Sequence, residues 1–102
     1  MTNNLKKIIL NDTPKEALLA KILSAKVIIF LINADTLRKL IREGHKIKDI
    51  YKKALESGKK VVLFESPYNI RIDVEKEIIT FLKNINEDVK DAIVIIFEKT
   101  NH

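Results

Sequence analysis

The chain has no cysteine, no tryptophan and no glutamine, a single methionine, two glycines and two prolines. Without cysteine, disulfides and thiolate metal sites are excluded. With only Gly44 and Gly58, a glycine-rich phosphate cradle cannot be built, which removes dinucleotide binding of the Rossmann kind. Ser24, Ser57 and Ser66 sit in no nucleophile elbow, so the usual hydrolase arrangement has no starting point. The longest apolar runs, such as Val27 to Ile32, fall far short of the roughly 20 residues that span a bilayer. The first seven residues, MTNNLKK, lack the apolar stretch of a signal peptide. These absences point to an intracellular protein with no membrane partner. Few sharp turning points are available, so most residues are expected in regular elements.

What remains is a chain of 102 residues, 46% apolar and 32% charged. That length supports one domain with a single core, and the composition is globular rather than disordered. Ile and Lys dominate. Many charges with few thermolabile side chains suggest a thermophilic source, although eight Asn residues argue the other way and an AT-rich genome gives the same bias. Charge is unevenly spread. Residues 1–35 carry five Lys against three acids, residues 36–60 nine basic residues against three acids, and residues 61–102 five against eight. The formal +5 is therefore a property of the middle segment.

The sequence repeats itself. Lys6 to Pro14, KKIILNDTP, matches Lys59 to Pro67, KKVVLFESP, at four of nine identical positions and four conservative ones. Val27 to Phe30 recurs unchanged as Val94 to Phe97. The offsets are 53 and 67, and the difference falls where a longer helix in the second copy absorbs it. Two matches in the same order favour duplication over chance in an Ile/Lys-rich chain. Each copy reads as strand, helix, strand. Lys6–Asn11 is a β-branched strand, and Thr13 with Glu16 forms a capping box before a helix whose first position is Pro14. That helix runs to about Ala25, and Lys26–Asn33 is the second strand. In the second copy Lys59–Glu65 is a strand and Ser66-Pro67 repeats the cap. Tyr68–Ile72 is ambiguous; a helix with Val74, Ile78, Phe81, Leu82, Ile85 and Val89 along one stripe follows, and Asp91–Glu98 closes the unit. Between the copies, Asp35 or Thr36 caps an apolar-faced helix that would be about 33 Å long if unbroken. Gly44 is the natural break, so two shorter helices are expected.

The fold expected is therefore α/β: a single small domain, a mainly parallel four-stranded sheet with helices on both faces, built from two βαβ repeats joined by a helical linker. The repeats span about 5–34 and 59–100, and the linker about 35–58. Continuous apolar strands such as VIIFLI and IVIIF fit a sheet covered on both faces. A pseudo-two-fold axis along the strands puts the two unit helices on opposite faces. Two strand orders fit: 2-1-3-4, the more familiar, and 1-2-4-3, which puts the VIIF strands in the centre and the Lys-Lys strands at the edges. The familiar order is taken as the expectation. It leaves VIIF strands at both edges, open to a partner strand.

Open α/β sheets bind ligands at the carboxyl ends of their strands. Here those ends offer Asn11, Asp12 and Thr13, and Phe64, Glu65 and Ser66, as the walls of a crevice between the repeats. Capping alone also explains these residue types. Asp35 near the same rim makes a loose trio with Asp12 and Glu65, without the fixed spacing or lysine that a metal-dependent site requires, so no metal ligands, catalytic residues or cofactor are assigned. On a continuous linker helix, Lys39, Arg42, Lys46 and Lys53 would share an arc of about 60°, able to track phosphates, with Asp49 inside the arc and only Tyr51 near enough to read a base. A solvated face of a Lys-rich protein explains the same pattern. His45, beside Gly44, reads as a loop residue.

In size, in its Ile/Lys/Asn bias, in lacking Gln and Cys, and in the KKIILNDTP/KKVVLFESP pair, the chain resembles the small orphan proteins of filamentous viruses of hyperthermophilic archaea, the Acidianus filamentous virus group. The resemblance covers the whole chain and carries over no functional residue. It implies a setting in the host cytoplasm or the virion, and an adaptor role. The function expected is a non-enzymatic protein–protein interaction module, binding a protein or peptide partner (or a second copy of itself, as a homodimer) in the groove between the repeats or along an edge strand. The alternative is nucleic-acid binding through the basic linker helix.

Overall fold

A computed structural model describes residues 5–65 and 72–97. Strand β1 (Lys6–Ile9) runs through a short 3-10 turn at Leu10–Asp12 into helix α1 (Lys15–Ser24), then strand β2 (Val27–Leu31). Helices α2 (Ala34–Arg42) and α3 (Ile47–Glu56) follow, then strand β3 (Lys60–Phe64), helix α4 (Ile72–Asn84), a second 3-10 turn at Val89–Asp91 and strand β4 (Ala92–Ile96). All three strand pairings are parallel, and the sheet order is β1-β4-β2-β3. The fold is the α/β arrangement expected, with two βαβ units and a helical linker.

Neither strand order considered from the sequence is the observed one. The two VIIF-bearing strands are central and the two Lys-led strands are the edges, as the edge-protection argument requires, but β1 lies against β4 and β3 against β2. Each unit's own strands are thus separated by a strand of the other unit. Reversing the order while exchanging the units returns the same order, so the sheet has a pseudo-two-fold axis between β4 and β2.

The side chains follow. Along β2, Ile28 and Phe30 point into the core beneath α1, α2 and α3, joined there by Leu18, Ile22, Leu37, Ile47, Ile50, Ala54, Ile93 and Ile95. Val27, Ile29 and Leu31 point to the other core, with Val74, Ile78 and Leu82 of α4 and with Ala92, Val94 and Ile96. Alternation along a strand and a three-to-four-residue stripe along each helix produce this division. The unit helices α1 and α4 lie on opposite faces, as expected, and β2 and β4 are buried at every position. A sheet in which three helices cover one face and one covers the other has no tolerance for polar residues in its middle strands, which explains why those strands read as unbroken apolar runs.

The residue-by-residue match between the copies does not coincide with the rotation. A two-fold along the strands exchanges the faces of the sheet, so matched residues should face opposite ways. Instead Ile8 and Val61 pack against the same core, as do Ile9 and Val62. Val27 and Val94, matched as repeats, also share a face. A slip of one residue reverses every side chain of a strand. Strands that are apolar on both sides do not reveal such a slip in their sequence.

The linker breaks where glycine permits. Gly44 sits at φ +77°, and a Cβ there would meet nothing within 4 Å. His45 takes up the start of α3, its Nδ1 accepting the Ile47 N–H at 3.0 Å. Two caps expected from sequence are not formed. Pro14, not Thr13, is the N-cap residue of α1, and the Thr13 hydroxyl donates backwards to the Ile9 carbonyl at 2.8 Å. The 3-10 turn after β1 moves the helix start by one residue and turns Thr13 away from it. Asn33 is the N-cap of α2, without a side-chain bond, and Asp35 pairs with Arg38 instead.

Candidate functional site

Helices α1 and α3 lie side by side and are tied at both ends. At their N-terminal ends Lys15 Nζ donates to Asp49 Oδ2 at 2.9 Å, and Lys46 Nζ donates to the Thr13 carbonyl at 2.6 Å. At the other end Lys59 Nζ donates to the carbonyls of Leu23 and Ala25 at 2.9 and 2.7 Å, satisfying acceptors that α1 leaves open at its C-terminus. The Lys15 ammonium bonded to Asp49 holds that carboxyl below its usual range, and Asp49 in turn raises the Lys15 ammonium. The Lys46 contact ties the turn after β1 to the start of α3 at the carboxyl rim of the sheet, where the ends of β2, β4 and β3 also lie.

The sequence-derived crevice residues that the structure describes lie on this rim, but they do not converge. Asn11, Asp12 and Thr13 follow edge strand β1, while Phe64 and Glu65 end the opposite edge strand β3. Three strand spacings separate those edges, roughly 14 Å. Between them lie the ends of β4 and β2, with Leu31, Ile32 and Ile96 buried and Phe97 half-buried. The two groups stand as opposite walls of the rim, and Leu31, Ile32 and Ile96 between them are buried in the two cores. Ser66 lies outside the described residues, as do Pro67 and Tyr68. Asp12 and Glu65, on opposite walls, cannot share a cation whose ligand bonds are about 2–2.5 Å. Asp35 is engaged by Arg38. Among the described residues no group of three potential metal ligands is gathered, and no side-chain polar atom is buried without a partner.

The basic set assigned from the sequence is also rearranged. Lys39 and Arg42 end α2, while Lys46 and Lys53 belong to the turn before α3 and to α3 itself. The break at Gly44 removes the single continuous face on which the four were placed. Lys46 is half-buried and committed to Thr13. Lys39, Arg42 and Lys53 are exposed. Tyr51, the one aromatic near them, turns inward and meets the Phe30 ring edge-on at 5.1 Å.

One further depression, about 320 Å³, runs along α4 between Lys76, Glu77, Thr80, Phe81 and Asn84. It includes none of the rim residues. The sequence carried no signal for it, since its one large apolar member, Phe81, also serves the core through an edge-on contact with Phe64 at 5.9 Å. No helix among the described residues is long and apolar enough to cross a membrane. No protein-family model, curated protein or solved structure matches this chain.

Proposed function

We infer that the chain is a non-enzymatic protein-interaction module that holds an extended peptide segment of its partner across the carboxyl rim. The interlocked order β1-β4-β2-β3 carries this reading. It leaves Asn11, Asp12 and Thr13 at one edge of the rim and Phe64 and Glu65 at the other, about 14 Å apart, a distance that supports a segment running from one edge to the other. Asp12 and Glu65 are both exposed, so each wall offers one carboxylate. A strand advancing about 3.3 Å per residue spans that distance in about four residues. The favoured segment is therefore an apolar stretch with a basic residue near each end.

Panning a random-peptide library on the intact protein tests the reading. Enriched peptides should carry basic residues about four apart and should lose affinity tenfold or more for Asp12→Arg and Glu65→Arg. Lack of any enrichment, or enriched peptides indifferent to both changes, would refute it.

The edge-strand mode moves with the topology. The VIIF strands expected at the edges are buried in the middle. The more open edge is β3, where Lys60 is the only charge in five residues. On β1, Lys6 and Lys7 begin a four-residue strand, Lys7 is paired with Glu75 and the 3-10 turn ends the ladder. Lys on a short edge strand is a recognised barrier to pairing.

A further inference from the structure

The molecule separates its charges by layer. From the start of α1 to the start of β3, residues 15–60 carry twelve Lys or Arg against five acids, net +7, and the rest of the chain is net −2. Every charge in that stretch lies outside β2, which contributes none. The three helices α1, α2 and α3 cover one face of the sheet, so the excess lies on the outer surface of that layer.

Part of it is used internally. Lys15 and Arg38 neutralise Asp49 and Asp35. Lys46 and Lys59 are bonded to backbone carbonyls, and Lys26 and Lys60 face Asp91 and Glu87. Lys39, Arg42, Lys48, Lys52 and Lys53 are all exposed, and none of their side chains makes a hydrogen bond or close ion pair among the described residues, although Lys48 and Lys52 act electrostatically on Asp49. They occupy the last turn of α2 and the outer side of α3. Lys39 with Arg42 and Lys48 with Lys52 are neighbours at three- and four-residue spacings, where like charges repel and oppose folding. Glu43, Asp49 and Glu56 stand at helical spacing to some of them and offset part of this repulsion, and a polyanion lying against the surface would offset the rest.

The surface chemistry selects the kind of polyanion. The apolar faces of both helices are spent on the core, with Leu37, Ile47, Ile50 and Ala54 buried, so little is left to insert into a membrane beyond Leu55. Single strands are held by exposed stacking aromatics, and Tyr51 is turned inward against Phe30. A protein interface needs an apolar centre depleted of charge, and the five cations present the reverse. We propose that the outer surface of α2 and α3 binds the phosphate backbone of duplex nucleic acid without sequence preference, through Lys39, Arg42, Lys48, Lys52 and Lys53. The site is independent of the carboxyl rim.

The test is fluorescence anisotropy with a 20-base-pair duplex. Five phosphate contacts give a logarithmic salt slope of about −4.5, so affinity should fall roughly 100-fold between 50 and 150 mM salt. Two triple variants separate location from net charge: Lys39→Glu, Lys52→Glu, Lys53→Glu on the proposed surface, and Lys76→Glu, Lys83→Glu, Lys90→Glu elsewhere. Both have the same formal charge, three reversals from +5. All six side chains are exposed, and circular dichroism checks that both variants fold. The proposal expects a loss of 30-fold or more in the first and less than threefold in the second. Equal losses would overturn it by showing a response to net charge alone. It is equally overturned by absence of binding at 50 mM salt, by tighter binding to a single strand of the same length, or by capture of anionic phosphatidylserine vesicles in preference to the duplex.

Discussion

Phe30 offers the sharpest test of how the core is built. It sits in central strand β2, is fully buried, and presents its ring to the edge of Tyr51 on α3, with centroids 5.1 Å apart at 74°. Phe30→Ala removes a ring that neighbours fixed in a parallel sheet cannot collapse to fill, at a cost of about 3–5 kcal/mol. A domain of this length holds about 5–15 kcal/mol in total, so the variant should be marginal at room temperature. The ring pair itself is worth about 0.5–1.5 kcal/mol beyond its burial. A double-mutant cycle of Phe30→Leu with Tyr51→Leu isolates it, because Leu keeps each site filled while ending the aromatic contact. Urea denaturation followed by far-ultraviolet circular dichroism gives all four stabilities. The reasoning fails if Phe30→Ala costs under 2 kcal/mol, or if the two Leu changes add with no coupling.

Two further outcomes follow from particular residues. Gly44 has a left-handed backbone and open space where a Cβ would stand, so Gly44→Ala should cost about 1–2 kcal/mol from backbone conformation alone, with Gly44→Asn milder; equal stability of Gly44→Ala and wild type in urea would sink that account. The pair Lys15–Asp49 stabilises the fold above the ordinary aspartate value of 3.8, is lost as pH falls through the depressed Asp49 value, and is lost again as pH rises through the elevated Lys15 value. Carboxyl-carbon NMR titration should therefore find Asp49 below 3.8 and rising towards it in Lys15→Met; an unchanged midpoint would show the pair to be idle in solution.

The elements were legible in the sequence because their signals are local. β-Branched runs gave the four strands to within two residues at each end, and Gly44 marked the break in the linker; the 3.6-residue stripes gave the helices, except that α4 stops at Asn84 and leaves Ile85 and Val89 of its expected stripe beyond it. The opposite placement of α1 and α4 also followed, since the handedness of crossovers leaves no other choice. Strand neighbours were not legible. Lys6 pairs with Ile93, and Val27 with both Lys60 and Ala92. These are long-range choices, and strands apolar on both faces leave them undetermined. The familiar order failed for that reason, while the argument from lysines correctly named the edges. The same gap affected the rim. Asn11, Asp12 and Thr13, with Phe64 and Glu65, were recognisable as strand ends, but whether they touch or face each other across two intervening strands depends on the order alone. Thr13 failed as a cap because three residues of 3-10 turn, invisible to a capping pattern, precede α1.

The interlock also decides how the two candidate surfaces relate. Each wall of the rim belongs to a different βαβ unit, yet both are hydrogen-bonded to the central strands: β1 to β4, and β3 to β2. The proposed segment, laid from one edge to the other, would therefore bear on both units at once. Between the edges Ile32 donates its N–H to the Phe64 carbonyl at 3.1 Å. The residue after Ile32 is Asn33, the N-cap of α2. Helix α2 begins on the rim and ends, nine residues later, with Lys39 and Arg42 in its last turn. It is a rigid link about 13 Å long between the rim, with Asp12 and Glu65 at its two edges, and the proposed cationic surface. Its first turn carries Asp35 paired with Arg38 of the same helix. On the two proposals, the rim takes a basic segment and the outer surface takes an anionic one, and a single short helix separates the two sites.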